Sequence, residues 1–578
     1  MSLIGSIHTT FGGMQLTEAK IATASANVSN ADKTGYTRKE YQATYTTVDG
    51  ITTPSGGITI STIDKQLYKA TIGDISDNSY YSSIATYLES YSSSTGAVDG
   101  GNSISATIDD LQTQVAALAT SPDDSSQKIN LVDSAQTLAN TLNNLSSDLQ
   151  GLRQQADQAI TTSVTNANDA LTSIDTLNKQ ILKIQNAGGS TADLEDERMV
   201  ALQNLASEMD VNYFITDTNQ LRVYTGAGQP LVDSGTHLLS YDASNTITDA
   251  STYPTNIAGI MVGNKDITEN LRGGTLAALV ELRDDTLVNE QAKLDALAST
   301  LATTVNDVLN TGTSSVLRNS ITGAETGVTS GDAFSATGTL RLAVLGSDSN
   351  VVNVTDMDLS AYTTVGDFVT ALNSLSGVSA TITANGQLQI TAQDPSNGIG
   401  LNQMDSAVGS DAKSVGSYFG LNNLFTGESA SNIQVTKDLA NNPDYLATAT
   451  LSGSASLAAG DRGVATGDGT VADNLQAALG GKTKFSAAGN FAVQTVTLAS
   501  YAAKIISNAA TSASSASSAS DVAQLTYNQT KSLLENSAGV NIDEETANMT
   551  ILESQYEAAA TMIATIRDMF DTLMTAMR

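Results

Sequence analysis

The sequence predicts a mainly α fold with an inserted β-rich domain, in which long coiled-coil helices build a discontinuous multi-domain chain whose N- and C-terminal helices pair. Three observations lead there. Apolar residues recur at heptad spacing at both ends, a helical register runs almost unbroken over about 125–187, and residues 312–465 change to a Gly-, Ser-, Thr- and Asp-rich composition with alternating apolar positions. At 578 residues the chain divides into several domains, because single cores stop growing near about 250–300 residues.

The N-terminal stripe places Ile7, Phe11, Met14, Ile21 and Val28 on one helical face, interrupted by Glu18 and Ser25. A punctuated stretch over 30–57 follows, with Thr34-Gly35-Tyr36, Asp49-Gly50 and Pro54 to Gly57; it reads as turns with short strands ending in the alternating Ile58, Ile60 and Ile63. Residues 1–60 therefore form an axial helix with a turn-rich extension, and 61–311 a long-helix rod domain.

Within that rod, Leu138, Leu142, Leu145, Leu149 and Leu152 step by threes and fours, and Leu177, Ile181 and Ile184 resume the register. At about 1.5 Å per residue the helix would be on the order of 90 Å long, more than one compact domain can wrap. Gly188-Gly189 ends it. A shorter helix over 192–209 opens with Asp193-Leu194-Glu195-Asp196-Glu197-Arg198, which reads as a solvated first turn with acids at the positive end of the helix dipole. Strands over 211–215 and 220–224 begin a small β region at about 211–272, and Leu276, Leu279, Leu282, Leu294, Leu297 and Leu301 mark a helix over 275–309.

The insert, 312–465, carries alternating runs such as Leu340 to Val344 and Leu388 to Thr391, with one helix over 365–375. Residues 466–540 return to the rod, helical from about 490 to 535. Over 541–578 the positions Ile542, Glu545, Met549, Leu552, Tyr556, Ala559, Ile563, Ile566, Phe570, Leu573 and Met577 alternate steps of three and four, and only Glu545 is not apolar. A helix with a single apolar stripe buries too little to offset its ordering entropy alone, so this segment is expected to become fixed when neighbouring chains cover its other faces. The rival reading docks both ends on a globular body as ordinary core helices.

Composition narrows the function. With 27 Lys plus Arg against 60 Asp plus Glu, the net charge of -33 argues against nucleic acid or anionic membrane as partners. The absence of cysteine removes disulfides, thiolate zinc sites and a cysteine nucleophile. Only His8, within the N-terminal stripe, and His237, after a Gly-rich turn, titrate near neutrality, and both read as incidental. No apolar run approaches the roughly 20 residues of a membrane helix. The first basic residue is Lys20, so the charged start of a secretory signal is missing, and the chain either stays in the cytoplasm or leaves by a route that removes no peptide.

No catalytic, cofactor or metal residues are assigned. Gly481-Lys482-Thr483 lacks the first glycine of a phosphate loop, since position 476 is Gln476. Gly226-Ala227-Gly228 runs into Pro230-Leu231 where a dinucleotide turn needs a small residue, and Asp461, Gly467, Asp468 and Gly469 match no calcium loop.

What remains is the segment Ala26 to Arg38, Ala-Asn-Val-Ser-Asn-Ala-Asp-Lys-Thr-Gly-Tyr-Thr-Arg, which resembles the signature of bacterial flagellar rod, hook and hook-associated proteins, its Tyr-Thr-Arg ending being similar to the hook-associated members. The far end agrees: Ser537 to Glu545, Gln555 to Ala558 and Phe570 to Leu573 are similar to the C-terminus of that family, as are the stretches 193–232 and 273–306. Asp32-Lys33 departs from the Asn-Thr pair common there. In physical terms Gly35 permits a positive φ, Asn27 and Asn30 can bond local backbone where the helix ends, and Tyr36 is an amphipathic anchor.

The resemblance implies a structural, non-enzymatic component at the hook-filament junction. It would leave by type III export through the central channel, form a homo-oligomeric ring outside the cell, and contact the hook protein and a second junction protein. A dedicated export chaperone would cover its C-terminal stripe first. The expected assembly interface is Ile7, Phe11, Met14, Ile21, Asn27, Val28, Asn30, Gly35 and Tyr36 at one end and Ile542, Met549, Leu552, Tyr556, Ile563, Ile566, Phe570 and Leu573 at the other. An acidic secreted adhesin or surface-layer protein, and less readily a hydrolase, are the alternatives.

Overall fold

The computed structural model describes residues 3–48, 51–98 and 100–577. Helix α1 (Leu3–Ser29) exits into a hairpin of β1 (Lys39–Val48) and β2 (Ile51–Ser61), followed by α2 (Lys65–Thr95), α3 (Ile104–Thr120), the uninterrupted α4 (Ser125–Asn186) and α5 (Ala192–Glu208). Short strands β3 (Val211–Ile215), β4 (Leu221–Thr225), β5 (Pro230–Val232), β6 (Leu239–Ser240), β7 (Met261–Val262) and β8 (Lys265–Asp266) lead to α6 (Gly274–Glu281) and α7 (Leu287–Leu309). Then come β9 (Ser320–Thr322), β10 (Ala336–Thr337), β11 (Thr339–Leu345), β12 (Val351–Asp358), α8 (Val365–Asn373), β13 (Val378–Ile382), β14 (Leu388–Ala392) and β15 (Gly398–Asn402). Two one-turn helices, α9 (Val415–Phe419) and α10 (Lys437–Asn441), precede α11 (Thr470–Gly480), α12 (Leu498–Ala538) and α13 (Ile542–Ala576). Among the described residues no helix is long and apolar enough to cross a membrane.

Contacts divide the described residues into two units: one within Met1–Tyr87, Gln154–Asp284 and Ser514–Arg578, the other within Leu88–Arg153 and Asp285–Ala513. In the first, Ile160, Leu171 and Ile174 of α4, Leu202 and Leu205 of α5, Leu221 and Val223 of β4, and Leu276 and Leu279 of α6 share one apolar core with Tyr68 and Ile72 of α2. The heptad steps of α4 are what place its leucines and isoleucines on that face. The sheet β3-β4-β5 is antiparallel, with Val211 opposite Thr225.

In the second unit, residues between Ile321 and Val464 bury two apolar clusters of their own. The larger centres on stacked Phe334 and Phe368, 4.9 Å apart, with Phe419 6.0 Å from each. Two three-stranded antiparallel sheets, β12-β11-β15 and β13-β14-β9, flank it. Helices α3 and α7 both pack on α11, and Leu111 and Val115 of α3, Leu297 of α7 and Leu475 of α11 are all buried.

Several sequence expectations are corrected. Pro54 to Gly57 do not turn but lie inside β2, and a bulge between Thr44 and Tyr45 of β1 absorbs the irregularity, as a two-stranded hairpin tolerates proline where a central strand would not. Asp49-Gly50 lies outside the described residues. Helices α2 and α3 are not among the expected elements, although Ile104, Ile108, Leu111, Val115 and Leu118 of α3 step by fours and threes and are all buried. Residues 490–497, expected as helix, pair instead as a strand, Gln494–Val496 with Thr483–Phe485.

The single helix expected over 275–309 is broken by a π-helical segment, Leu282–Thr286. The wider turn brings the fully buried Arg283 to Asp157 at 3.1 Å and to Asp284 at 2.7 Å, with the Tyr241 hydroxyl completing the cluster.

Candidate assembly site at the paired chain ends

Helix α1 ends where Asn27 and the glycine at 35 redirect the chain. Asn27 is fully buried, and its reach is longer than a local cap: Nδ2 donates to the Lys39 carbonyl at 2.9 Å and Oδ1 accepts from the Lys39 amide at 2.9 Å, fastening the helix exit to the first residue of β1. The same Oδ1 accepts from the Tyr36 hydroxyl at 3.0 Å. Asn30 does bond locally, to the Ala26 carbonyl at 2.9 Å. Gly35 sits at φ +78°, and a Cβ there would come within 2.3 Å of Val200 on α5, so both conformation and space demand glycine.

Residues 37–39 extend this into a buried polar junction. Thr37 donates from its amide and hydroxyl to the Asp196 carboxylate at 2.9 and 2.6 Å, and the Lys39 ammonium pairs with the same carboxylate while donating to the Ala192 carbonyl at 3.1 Å. Burial raises the Asp196 pKa, opposed by Lys39 and Thr37. The acidic run that opens α5 is therefore only partly solvated: Asp193 and Glu197 face solvent, but Asp196 and Arg198 are buried, Arg198 donating to Asn178 and to the Asn219 carbonyl. Lys33, the departure from the family signature, lies 4.0 Å from the exposed Glu197.

The other chain end joins here. Arg38 donates from its amide to the Ala538 carbonyl at 2.7 Å and from Nε to Glu545 at 2.6 Å. Asn541 caps α13 by accepting from the amides of Asp543 and Glu544. From that point α13 runs back along α1, antiparallel to it. Glu545, the one break in the apolar stripe, is the only fully buried residue of α13, with 2% of its surface exposed. Carboxylates are buried only when paired, and Arg38 is the pair.

Along α13 the positions Met549, Leu552, Tyr556, Ala559, Ile563, Ile566 and Phe570 are all half-buried, whereas Ile542, Leu573 and Met577 are exposed. Ile551, Met562, Met569 and Met574, on other faces, are more than half exposed. On α1 the half-buried positions Ile7, Met14, Ile21 and Val28 alternate with an exposed Phe11, Glu18 and Ser25. Full burial falls instead on the small or polar Gly5, Gly12, Thr17, Ala24 and Asn27. A Cβ at Gly12 would stand 3.2 Å from the Pro54 carbonyl oxygen, so that glycine lets the β hairpin close on the helix. The sequence pattern missed Thr37, Arg38, Lys39 and Asp196; a buried cation four residues past a helix-exit glycine leaves no periodicity to read.

Both histidines are exposed. His237 stands 3.1 Å from Asp233 on the surface, and His8 lies in α1.

Residues 96–324 match the family model described as flagellar hook-associated protein FlgK helical domain, and residues 534–576 match the flagellar basal body rod FlgEFG protein C-terminal model. The flagellar hook-associated protein 1 of Escherichia coli (strain K12) is 25% identical over 587 residues, covering 98% of each chain. That of Salmonella typhimurium (strain LT2) is 24% identical over 600 residues, covering 98% of this chain and 99% of its own. Among solved structures, the flagellar hook junction protein FlgK from Burkholderia pseudomallei shares the fold with a TM-score of 0.50 at 16% identity, over 81% of this chain and 99% of that one.

With paired terminal helices joined through a helix-exit signature on a long-helix body, the chain is similar to structural proteins of the bacterial flagellar axis. Over nearly its whole length the chain is similar to flagellar hook-associated protein 1.

Proposed function

We propose that this protein is a hook-filament junction component that self-assembles through α1 and α13. One observation carries the reading: α13 is 35 residues long, yet its own chain buries a single stripe and leaves Ile551, Met562, Met569, Leu573 and Met574 in solvent. An apolar surface of this extent on a chain end marks an interface. The expected interface residues divide accordingly. Met549, Leu552, Tyr556, Ile563, Ile566 and Phe570 hold α13 on α1 within a subunit, and Phe11, Ile542 and Leu573 face neighbouring subunits.

In this reading copies close into a ring outside the cell between hook protein and a second junction protein. An export chaperone covers the C-terminal stripe before secretion. Asn27, Gly35 and Tyr36 set the angle at which the pair leaves the body. Similarity to flagellar hook-associated and rod proteins supports assembly with other flagellar components and gives no support to an adhesin, a surface-layer protein or a hydrolase.

The test is electron microscopy of cells whose own copy is deleted, complemented with the chain lacking residues 545–578. Hooks without filaments, with the truncated protein still folded and secreted into the medium, are expected. Normal filaments would overturn the proposal.

A further inference from the structure

Far along the chain from the terminal helices, in the second unit, a buried lysine sits between a carboxylate and a carboxamide for which the junction function has no use. Lys293 of α7 has no exposed side-chain surface, and Glu290, one turn earlier, is nearly as buried. Lys293 Nζ lies 2.6 Å from Glu290 Oε1 and 2.6 Å from Asn508 Oδ1 on α12. The second carboxylate oxygen, Glu290 Oε2, is buried with no hydrogen-bond partner. The Phe491 ring covers the ammonium at 4.7 Å and packs edge-on against Tyr501, 5.6 Å away, itself stacked on Phe485. Asn508 is half-buried, so its amide nitrogen has a way out to solvent.

We propose that Lys293 and Asn508 condense spontaneously into an intramolecular isopeptide bond, with Glu290 as the proton carrier. An amine, a primary amide and a carboxylate held together among aromatic rings are the reactants and the catalyst that such a condensation requires. Burial pulls the Lys293 amine below its ordinary range, with the Glu290 charge opposing, so the neutral nucleophile is within reach. Since Nζ is 2.6 Å from Oδ1, the amide carbon, one C=O bond of about 1.23 Å further on, lies within about 3.8 Å of the nitrogen.

The step balances without an oxidant. As its neutral amine, Lys293 forms a bond from the nitrogen lone pair to Asn508 Cγ and in doing so passes one proton to the Glu290 carboxylate. The Cγ–Nδ2 bond of the tetrahedral adduct then breaks as Glu290 delivers a proton to the departing nitrogen, which leaves as ammonia. A secondary amide joins α7 to α12, and Glu290 is returned unchanged. The reactive geometry exists only in the folded chain, so the bond would form after folding.

The test is intact mass spectrometry and tandem peptide mapping of the folded full-length protein. The proposal expects a mass about 17 Da below that of the sequence, the loss of one ammonia, and a branched peptide joining Lys293 to Asn508. Lys293→Arg and Glu290→Gln are each expected to restore the full calculated mass. Wild-type protein at its full mass with separate Lys293 and Asn508 peptides would overturn the proposal, as would the same ammonia loss in Lys293→Arg. Should either variant fail to fold, the wild-type peptide map decides alone.

Discussion

Helices α5 and α13 belong to the same unit and are built in opposite ways. In α5, 17 residues place seven in full burial, among them Leu202, Leu205 and Ala206, and its charged Asp196 and Arg198 both find partners inside, although Arg198 Nε is left without one. In α13, 35 residues place one, and that one is a glutamate. A helix is held by the area it removes from water, and α13 removes area along one line only. The first region is finished within the chain; the second presents the unfinished face of something larger.

The sharpest way to break that contrast is to delete α13. Without residues 545–578, assembly into the junction is expected to be lost, while the melting temperature of the remaining body stays within a few degrees of the full chain by differential scanning calorimetry. A body that failed to fold would place α13 in the core with α5.

Single substitutions narrow the comparison. Leu202→Ala, at a fully buried site, is expected to cost about 2–5 kcal/mol of unfolding free energy. Leu573→Ala, at a position 53% exposed, is expected to stay within about 0.5 kcal/mol while weakening assembly. Denaturant titration of the monomers measures the first quantity, and sedimentation of the assembled form the second. Equal losses of stability would erase the distinction.

Glu545→Ala tests the lock between the two regions. Arg38 is partly exposed and can regain water, so the expected cost is about 1–3 kcal/mol, confined to α13 and read as faster amide exchange there with no change in α5.

The smallest effect concerns Tyr36. Burial above all, then the charges of Asp193, Asp196 and Glu545, raises its phenol from 10.0 to about 12. The neutral form is favoured in the folded state, so the stabilisation is fully present below pH 10 and is lost as pH climbs through about 12. Tyr36→Phe is expected to remove this part of the alkaline decline in chemical-denaturation curves taken between those values. An unchanged slope would show that Tyr36 keeps its ordinary ionisation.

The α13 stripe is legible because from Met549 to Phe570 every step of three or four residues falls on a half-buried position, and even its exception, Glu545, marks the place where the pattern meets a partner. The uninterrupted α4 was legible for the same reason. The stripe of α1 was read on the wrong edge, since Gly5, Gly12, Thr17 and Ala24 carry no apolar signal, yet close approach to the β hairpin favours small residues there.

The polar junction was hidden more deeply. Lys39 and Asp196 are 157 residues apart, and each looks in sequence like a surface charge. Only their convergence on the Asn27 exit shows otherwise. Arg283 was obscured in another way, because a π turn shifts the helical register that a periodic reading takes as constant.

Hydrogen-deuterium exchange on the purified monomer and on the assembled junction tests the central claim most directly. The account predicts that amides of α13 from about Met549 onward exchange much faster than those of α5 in the lone chain, and become comparably protected once copies assemble. Equal protection of α13 and α5 in the monomer, unchanged on assembly, would contradict it.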